Sequence, residues 1–162
     1  MSGERILDEA EQYNASSREQ GHPGDYSYIL IRPEWHHLTP DEQELISSSL
    51  RDQLDGSLLA EYEVHLTGEQ AREMWSHVAG FSWSEEYYGL MSSLPSRVLV
   101  LKGAEKASQI KGIMREEYTF LIDQLPERLG VSFHPDIIHG SDPGKATNEL
   151  GILGITYIED KI

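Results

Sequence analysis

Apolar residues along this chain change their period in a fixed order, and that order restricts the fold more than any single residue does. Tyr26-Ser27-Tyr28-Ile29-Leu30-Ile31-Arg32 alternates and then turns wholly apolar, as an inner strand does. Thr39-Pro40-Asp41-Glu42 reads as a helix start: a capping hydroxyl, a proline in the first turn, then acids at the positive end of the helix dipole. Leu45, Ile46, Leu50 and Leu54 recur at three-to-four spacing, and Asp55-Gly56 ends the helix. Residues 57–66 predict a second strand. Thr67 caps a helix over 68–78, and residues 84–92 predict another, with Tyr87, Tyr88 and Met91 on its buried side. Arg97-Val98-Leu99-Val100-Leu101 is the clearest strand of all. A helix over 104–114 follows, with Ile110, Ile113 and Met114 facing in. Residues 115–136 carry no clear period; a strand is expected near 131–133. The end, 151–162, is apolar and β-prone, then charged. Strand–helix–strand–helices–strand–helix–strand is the order that a split βαβ sheet requires.

With 162 residues, the chain has length for one core and not for two. Residues 1–25 are polar and break at Gly21-His22-Pro23-Gly24, so they read as an N-terminal extension, mobile or packed on a neighbouring subunit, with a short helix at 4–13. Residues 26–162 form the domain. Cysteine is absent, which excludes disulfides and thiolate metal sites. No apolar run is long enough for a bilayer, and the first residues lack the basic start and apolar stretch of a signal peptide. The expectation is a cytoplasmic protein without a membrane partner. The formal net charge of −15 opposes binding to nucleic acid and also repels nucleotides at long range. A site for an anionic ligand must therefore gather its few cations locally. The bland reading of the charge is solubility in a salty cytoplasm.

One histidine stands in an unusual setting, Asp136-Ile137-Ile138-His139-Gly140-Ser141-Asp142. Two β-branched residues predict a short buried extended piece. Gly140 removes a side chain that would crowd one flank of the ring. Ser141 and Asp142 are good helix-start residues, so His139 is expected on a rigid turn beside a helix N-terminus. Such a place suits an anion approaching a nucleophilic nitrogen. His36 and His37 follow Trp35, but no acidic or histidine partner has metal-ligand spacing. They and His22, His65, His77 and His134 read as surface residues.

The run from Ile137 to Asp142 resembles the active-site segment of nucleoside diphosphate kinases, Ile/Val-Ile/Val-His-Gly-Ser-Asp followed by a helix. The end of the first strand, Ile29-Leu30-Ile31-Arg32-Pro33-Glu34, resembles that family's Ile-Lys-Pro-Asp, with arginine for lysine and glutamate for aspartate. The likeness runs from about residue 28 to 150. It implies an α+β, ferredoxin-like fold, with a four-stranded antiparallel sheet covered by helices. It also implies a phosphotransferase that moves the terminal phosphate of a nucleoside triphosphate to a nucleoside diphosphate through a phosphohistidine. ATP would be the donor, Mg²⁺ would be held mainly by the nucleotide phosphates, and the chain would form a homo-oligomer.

Under that resemblance His139 is the nucleophile, Glu149 fixes its tautomer, and Ser141 donates to the phosphate or the leaving oxygen. Arg32 neutralises the transferring group; on its residues alone it also reads as an edge cation paired with Glu34. Trp75 stands where the family has an active-site tyrosine and lacks the hydroxyl; the plain alternative is a core aromatic. Trp83 stands where the family stacks an aromatic on the nucleobase, with burial as its alternative. The family's two phosphate-binding arginines have Lys111 and Arg128 as nearest matches, and Arg115 is a further supplier. The family's Arg-Asn before the histidine is Pro135-Asp136 here, which adds negative charge and removes an amide. These departures motivate two alternatives: a specialised enzyme of the same fold acting on an unusual nucleotide or biosynthetic intermediate, or a non-catalytic nucleotide-binding or assembly module.

Overall fold

The computed structural model describes residues 26–156. The extension over 1–25, its expected helix at 4–13, and the end of the tail lie outside the described residues. Four strands form one sheet: β1 (Tyr26–Ile31), β2 (Leu58–Val64), β3 (Ser96–Lys102) and β4 (Ile138–Gly140). Their spatial order is β2-β3-β1-β4, and every neighbouring pair is antiparallel. The helices are α1 (Pro40–Leu54), α2 (Gly68–Met74), α3 (Ser84–Met91), α4 (Lys106–Glu117), α5 (Thr119–Ile122), α6 (Leu125–Leu129) and α7 (Ala146–Ile152). Short 3₁₀ turns at Pro33–His37 and Ser76–Val78 complete the described elements.

The strand pattern divides the core in two. Tyr26, Tyr28 and Leu30 of β1 join Val98 and Val100 of β3 on one face of the sheet, under α2, α3 and α7. Ile29 and Ile31 join Leu99 and Leu101 on the other, under α1, α4 and the short helices that follow it. Successive strand residues point to opposite faces, so a central strand covered on both sides is buried throughout. All six residues of β1 are buried.

The first helix begins at a complete capping box: Thr39 Oγ1 accepts from the Glu42 amide, and the Glu42 carboxylate accepts from the Thr39 amide. It ends with Asp55 in the left-handed region at φ 41°. Ile46 and Leu50 carry its buried face, whereas Leu45 is 51% exposed. Leu45 lies about 100° round the helix from Ile46, which turns it off the core stripe. Ile113 is likewise 46% exposed, because Ile110 and Met114, four residues apart, hold the inner face of α4.

Two expectations near the C-terminal end are corrected. Residues 131–133 form no strand. Gly130 closes α6 at φ 66°, the Val131 amide returns to the Pro126 carbonyl, and Phe133 is buried against Tyr87 in a loop. Nor does a helix begin at Ser141-Asp142. Those residues lead into a turn closed by Lys145 N–H to the Asp142 carbonyl, and α7 starts at Ala146 without a side-chain cap. His139 is thus a strand residue, not one beside a helix N-terminus.

Candidate active site

β4 is short, and its place is fixed from both ends. His139 lies opposite Leu30, between the pairs Ile31–Ile138 and Ile29–Gly140. The Arg32 amide donates to the Ile137 carbonyl at 2.8 Å, and the Ser141 amide donates to the Tyr28 carbonyl at 3.0 Å. The Ser141 hydroxyl is buried and accepts from the Tyr28 amide at 3.0 Å. Ser141 therefore extends the ladder with its side chain. That engagement turns its oxygen toward the β1 backbone. Gly140 allows the opposite approach: a Cβ there would lie 2.9 Å from the Ala107 carbonyl of α4. The helix backbone occupies the space a side chain would need.

The pleat puts His139 on the same face as Leu30 and Tyr28. Its ring sits 5.8 Å from the Tyr28 ring and 5.7 Å from the Trp75 indole, the latter edge-on at 79°. Nε2 lies 3.3 Å from Oε1 of Glu149, on α7. Burial raises the affinity of Glu149 for its proton, but the bonds to His139 and Tyr28 outweigh it, and the carboxyl titrates below its ordinary value. An ionised carboxylate only accepts, so Nε2 donates, and in the neutral ring the lone pair then falls on Nδ1. The side chain remains 19% exposed.

That exposure opens onto a cleft of about 730 Å³ that wraps round the outer edge of β4. The end of β1, the α2–α3 region, α4 and the loop before β4 build its walls. Arg32, Lys111 and Arg115 bring three cations to it, with Trp75, Tyr87 and Asp136. Their charges are unequally committed. Arg32 is buried and forks onto Glu34, Nη2 to Oε2 at 2.5 Å and Nε to Oε1 at 3.1 Å. Its Nη1 donates to the Tyr87 hydroxyl at 3.3 Å. Burial opposes the charge on Arg32, but Glu34 beside it holds the guanidinium above its ordinary value. Glu34 is fully buried and also accepts from the Asp136 amide at 3.1 Å. The arginine–glutamate pair thus ties the end of β1 to the start of β4 while facing the cleft. Arg115 is ion-paired with Asp136. Lys111 is half-buried, and no carboxylate pairs with it among the described residues. Burial pushes its ammonium below the ordinary value, and Asp136 pulls the other way.

Of the remaining named residues, one lines the cleft and two lie away from it. Trp75 is buried; it lines the cleft but spends its contacts on His139 and Tyr87. Trp83 stacks on Phe81 at 4.9 Å and packs against Phe133, outside the cleft wall. Arg128 forks onto Glu42 at 2.7 and 2.8 Å, joining α6 to the start of α1, also away from the cleft. That fork pulls the Glu42 carboxyl down to about 2. Conversely, Tyr28 and Tyr87 supply hydroxyls that sequence reasoning assigned no role, and His77 and His134 lie on the cleft although they read as plain surface residues. The strand period could have flagged Tyr28 as the residue beneath His139; no local signal marks the others.

No family model and no curated protein matches this chain. Solved structures do. A nucleoside diphosphate kinase from Aquifex aeolicus is similar at TM-score 0.55 and 21% identity, over 79% of this chain and 93% of that one. One from Encephalitozoon cuniculi gives TM-score 0.55 and 22% identity, over 79% and 87%. A halophilic nucleoside diphosphate kinase from Halobacterium salinarum, in complex with CDP, gives TM-score 0.59 and 16% identity, over 86% and 93%. The chain has the fold of these kinases.

Proposed function

We propose that this chain, built on the nucleoside diphosphate kinase fold, is a phosphotransferase that carries a phosphoryl group on His139. One observation supports the reading above the others: an imidazole whose Nε2 is committed to Glu149 stands in the wall of a cleft that also gathers Arg32, Lys111 and Arg115. A histidine in that state offers Nδ1 as nucleophile without first losing a proton. In the first half-reaction Nδ1 bonds to the γ-phosphorus of ATP, the bond from that phosphorus to the bridging oxygen breaks, and ADP leaves with the electron pair. In the second half an oxygen of the acceptor's terminal phosphate attacks the phosphohistidine, and the electron pair returns to Nδ1. Glu149 holds the proton on Nε2 through both halves and offsets the positive charge that the phosphorylated ring acquires.

Lys111 is the cation with least internal compensation and is the residue assigned to the transferring phosphate; Arg115 reaches it by leaving Asp136. Arg32 contributes a guanidinium whose charge Glu34 already balances, so its part is direction more than net charge. Magnesium, when bound, spreads the charge of the nucleotide phosphates. In this reading the ion is one that the nucleotide carries; among the described residues no group of three or more His, Asp or Glu could hold a metal ion. Among the same residues no helix is long and apolar enough to cross a membrane. A cytoplasmic homo-oligomer that binds nucleotides and neither nucleic acid nor membrane completes the proposal.

Incubation with γ-labelled ATP should leave an acid-labile label on the protein, and His139→Ala should abolish it. A folded wild-type chain that takes no label overturns the proposal. A second reading, a specialised acceptor, is favoured by the Arg115–Asp136 pair at the cleft. A panel of acceptors separates the two, since use of all the common nucleoside diphosphates excludes specialisation.

A further inference from the structure

We infer that Tyr28 is a positioning residue for His139, its hydroxyl fixing the carboxylate that in turn fixes the imidazole. The Tyr28 hydroxyl donates to Oε1 of Glu149 at 2.7 Å, and Nε2 of His139 approaches that same oxygen at 3.3 Å. A carboxylate oxygen accepts two hydrogen bonds, so the two donors share it without conflict. Their supports differ. Tyr28 is fully buried in β1, its backbone paired with Val100 on one side and bonded to Ser141 on the other. Glu149 sits on a seven-residue helix that starts without a side-chain cap. Left alone, such a glutamate loses several rotamers to hold one geometry. The tyrosine removes that freedom from a rigid strand. Burial, and then the charge of Glu149, keeps the hydroxyl protonated far above the ordinary phenol range, so it stays a donor wherever the imidazole titrates.

The sign of its electrostatic effect follows. A donor on Oε1 takes up part of the carboxylate charge that would otherwise favour the imidazolium. Tyr28 thus holds His139 in place and weakens the pull of Glu149 on an imidazolium. The charged groups and histidines that share the cleft with the ring are Arg32 after β1, His77, Lys111 and Arg115 from α4, Asp123 after α5, His134 and Asp136 before β4, and Asp142 after it; Lys145, ahead of α7, acts on Glu149. Among the described residues only Glu149 bonds to the imidazole.

The consequence for rate rests on the phosphotransfer reading, whereas the titration does not, and the test uses that difference. Tyr28→Phe keeps the ring and removes the hydroxyl. In the full chain the His139 titration midpoint, followed by NMR of the imidazole, should rise by about half a pH unit. The acid limb of labelling by ATP should move upward with it, and the labelling rate on the plateau should fall about tenfold. In a Glu149→Gln background the same tyrosine substitution should leave the midpoint unmoved. An unchanged midpoint in Tyr28→Phe overturns the inference. So does an equal shift in both backgrounds, because packing alone would then account for it. A shifted midpoint in a wild-type chain that never takes label sustains the positioning role and defeats the phosphotransfer proposal.

Discussion

At Gly140 one hydrogen atom separates a strand from a helix backbone. A methyl group there would meet the Ala107 carbonyl at 2.9 Å and the Lys111 Cβ at 3.3 Å. Backbone cannot rotate aside as a flexible side chain can, so α4 or β4 must move. Gly140→Ala is expected to cost about 1–3 kcal/mol, read from urea melts at constant m-value. It should also disturb labelling at His139, because the shifted strand carries the ring. The Arg32–Glu34 pair makes a different forecast. Both side chains are buried, and the glutamate ties β1 to β4 through the Asp136 amide. Removing one partner strands the other, so Arg32→Met alone and Glu34→Gln alone should each cost about 3–5 kcal/mol. The double variant should cost less than the sum of the two. Additivity in that cycle would show that the fork contributes no coupling.

Elements with strong local signals were legible from the chain, and those held by distant partners were not. Thr39-Pro40-Asp41-Glu42 announces α1 because every group in its capping box lies within four residues. Thr39→Ala should therefore cost about 1 kcal/mol, measured as a lowered midpoint of thermal unfolding with an unchanged cleft. β1 and β3 are readable because a central strand is apolar on both faces. The strand expected at 131–133 failed for the converse reason: three residues carry too little period to distinguish a loop with one buried aromatic from a strand. β4 is equally short; Ile137 and Ile138 predict an extended piece, and the ladder to β1 is what makes that piece a strand. Ser141 and Asp142 have the chemistry of helix caps, yet Ser141 is drawn into the sheet by the Tyr28 amide. The site divides in the same way. His139 and Arg32 stood out through motifs. Tyr28 bonds Glu149 across a separation of 121 residues, and Arg32 reaches Tyr87 across 55; only the fold brings such pairs together.

Over the whole molecule, charge sets how stability responds to the solvent. Twenty-eight acids face thirteen Lys and Arg residues, so most carboxylates have no cation of their own. Several described pairs lie at the surface, among them Arg51–Glu44, Arg72–Glu85 and Arg97–Glu61. Salt weakens those pairs, each worth about 0–1 kcal/mol. It also screens repulsion among the unpaired acids, and the Debye length falls from about 10 Å at 0.1 M to 3 Å at 1 M. Repulsion involves more charges and therefore prevails, so the midpoint of thermal unfolding should rise as KCl increases through that range. An osmotically matched sugar should raise it less; an equal rise would assign the effect to solute exclusion. Acid acts with two signs. Protonating surface acids relieves repulsion. Glu42 and Glu149 are held below the ordinary carboxylate value, so they stabilise the fold above about 4.5 and lose that contribution as pH falls through their folded values. For Glu42 the loss extends down to about 2. Glu149→Gln and Glu42→Gln should each flatten the acid limb of the stability–pH curve below about 4.5 while leaving the salt response at neutral pH intact. A variant whose acid limb matches that of the wild type would show that its carboxyl is not held below the ordinary value in the folded chain.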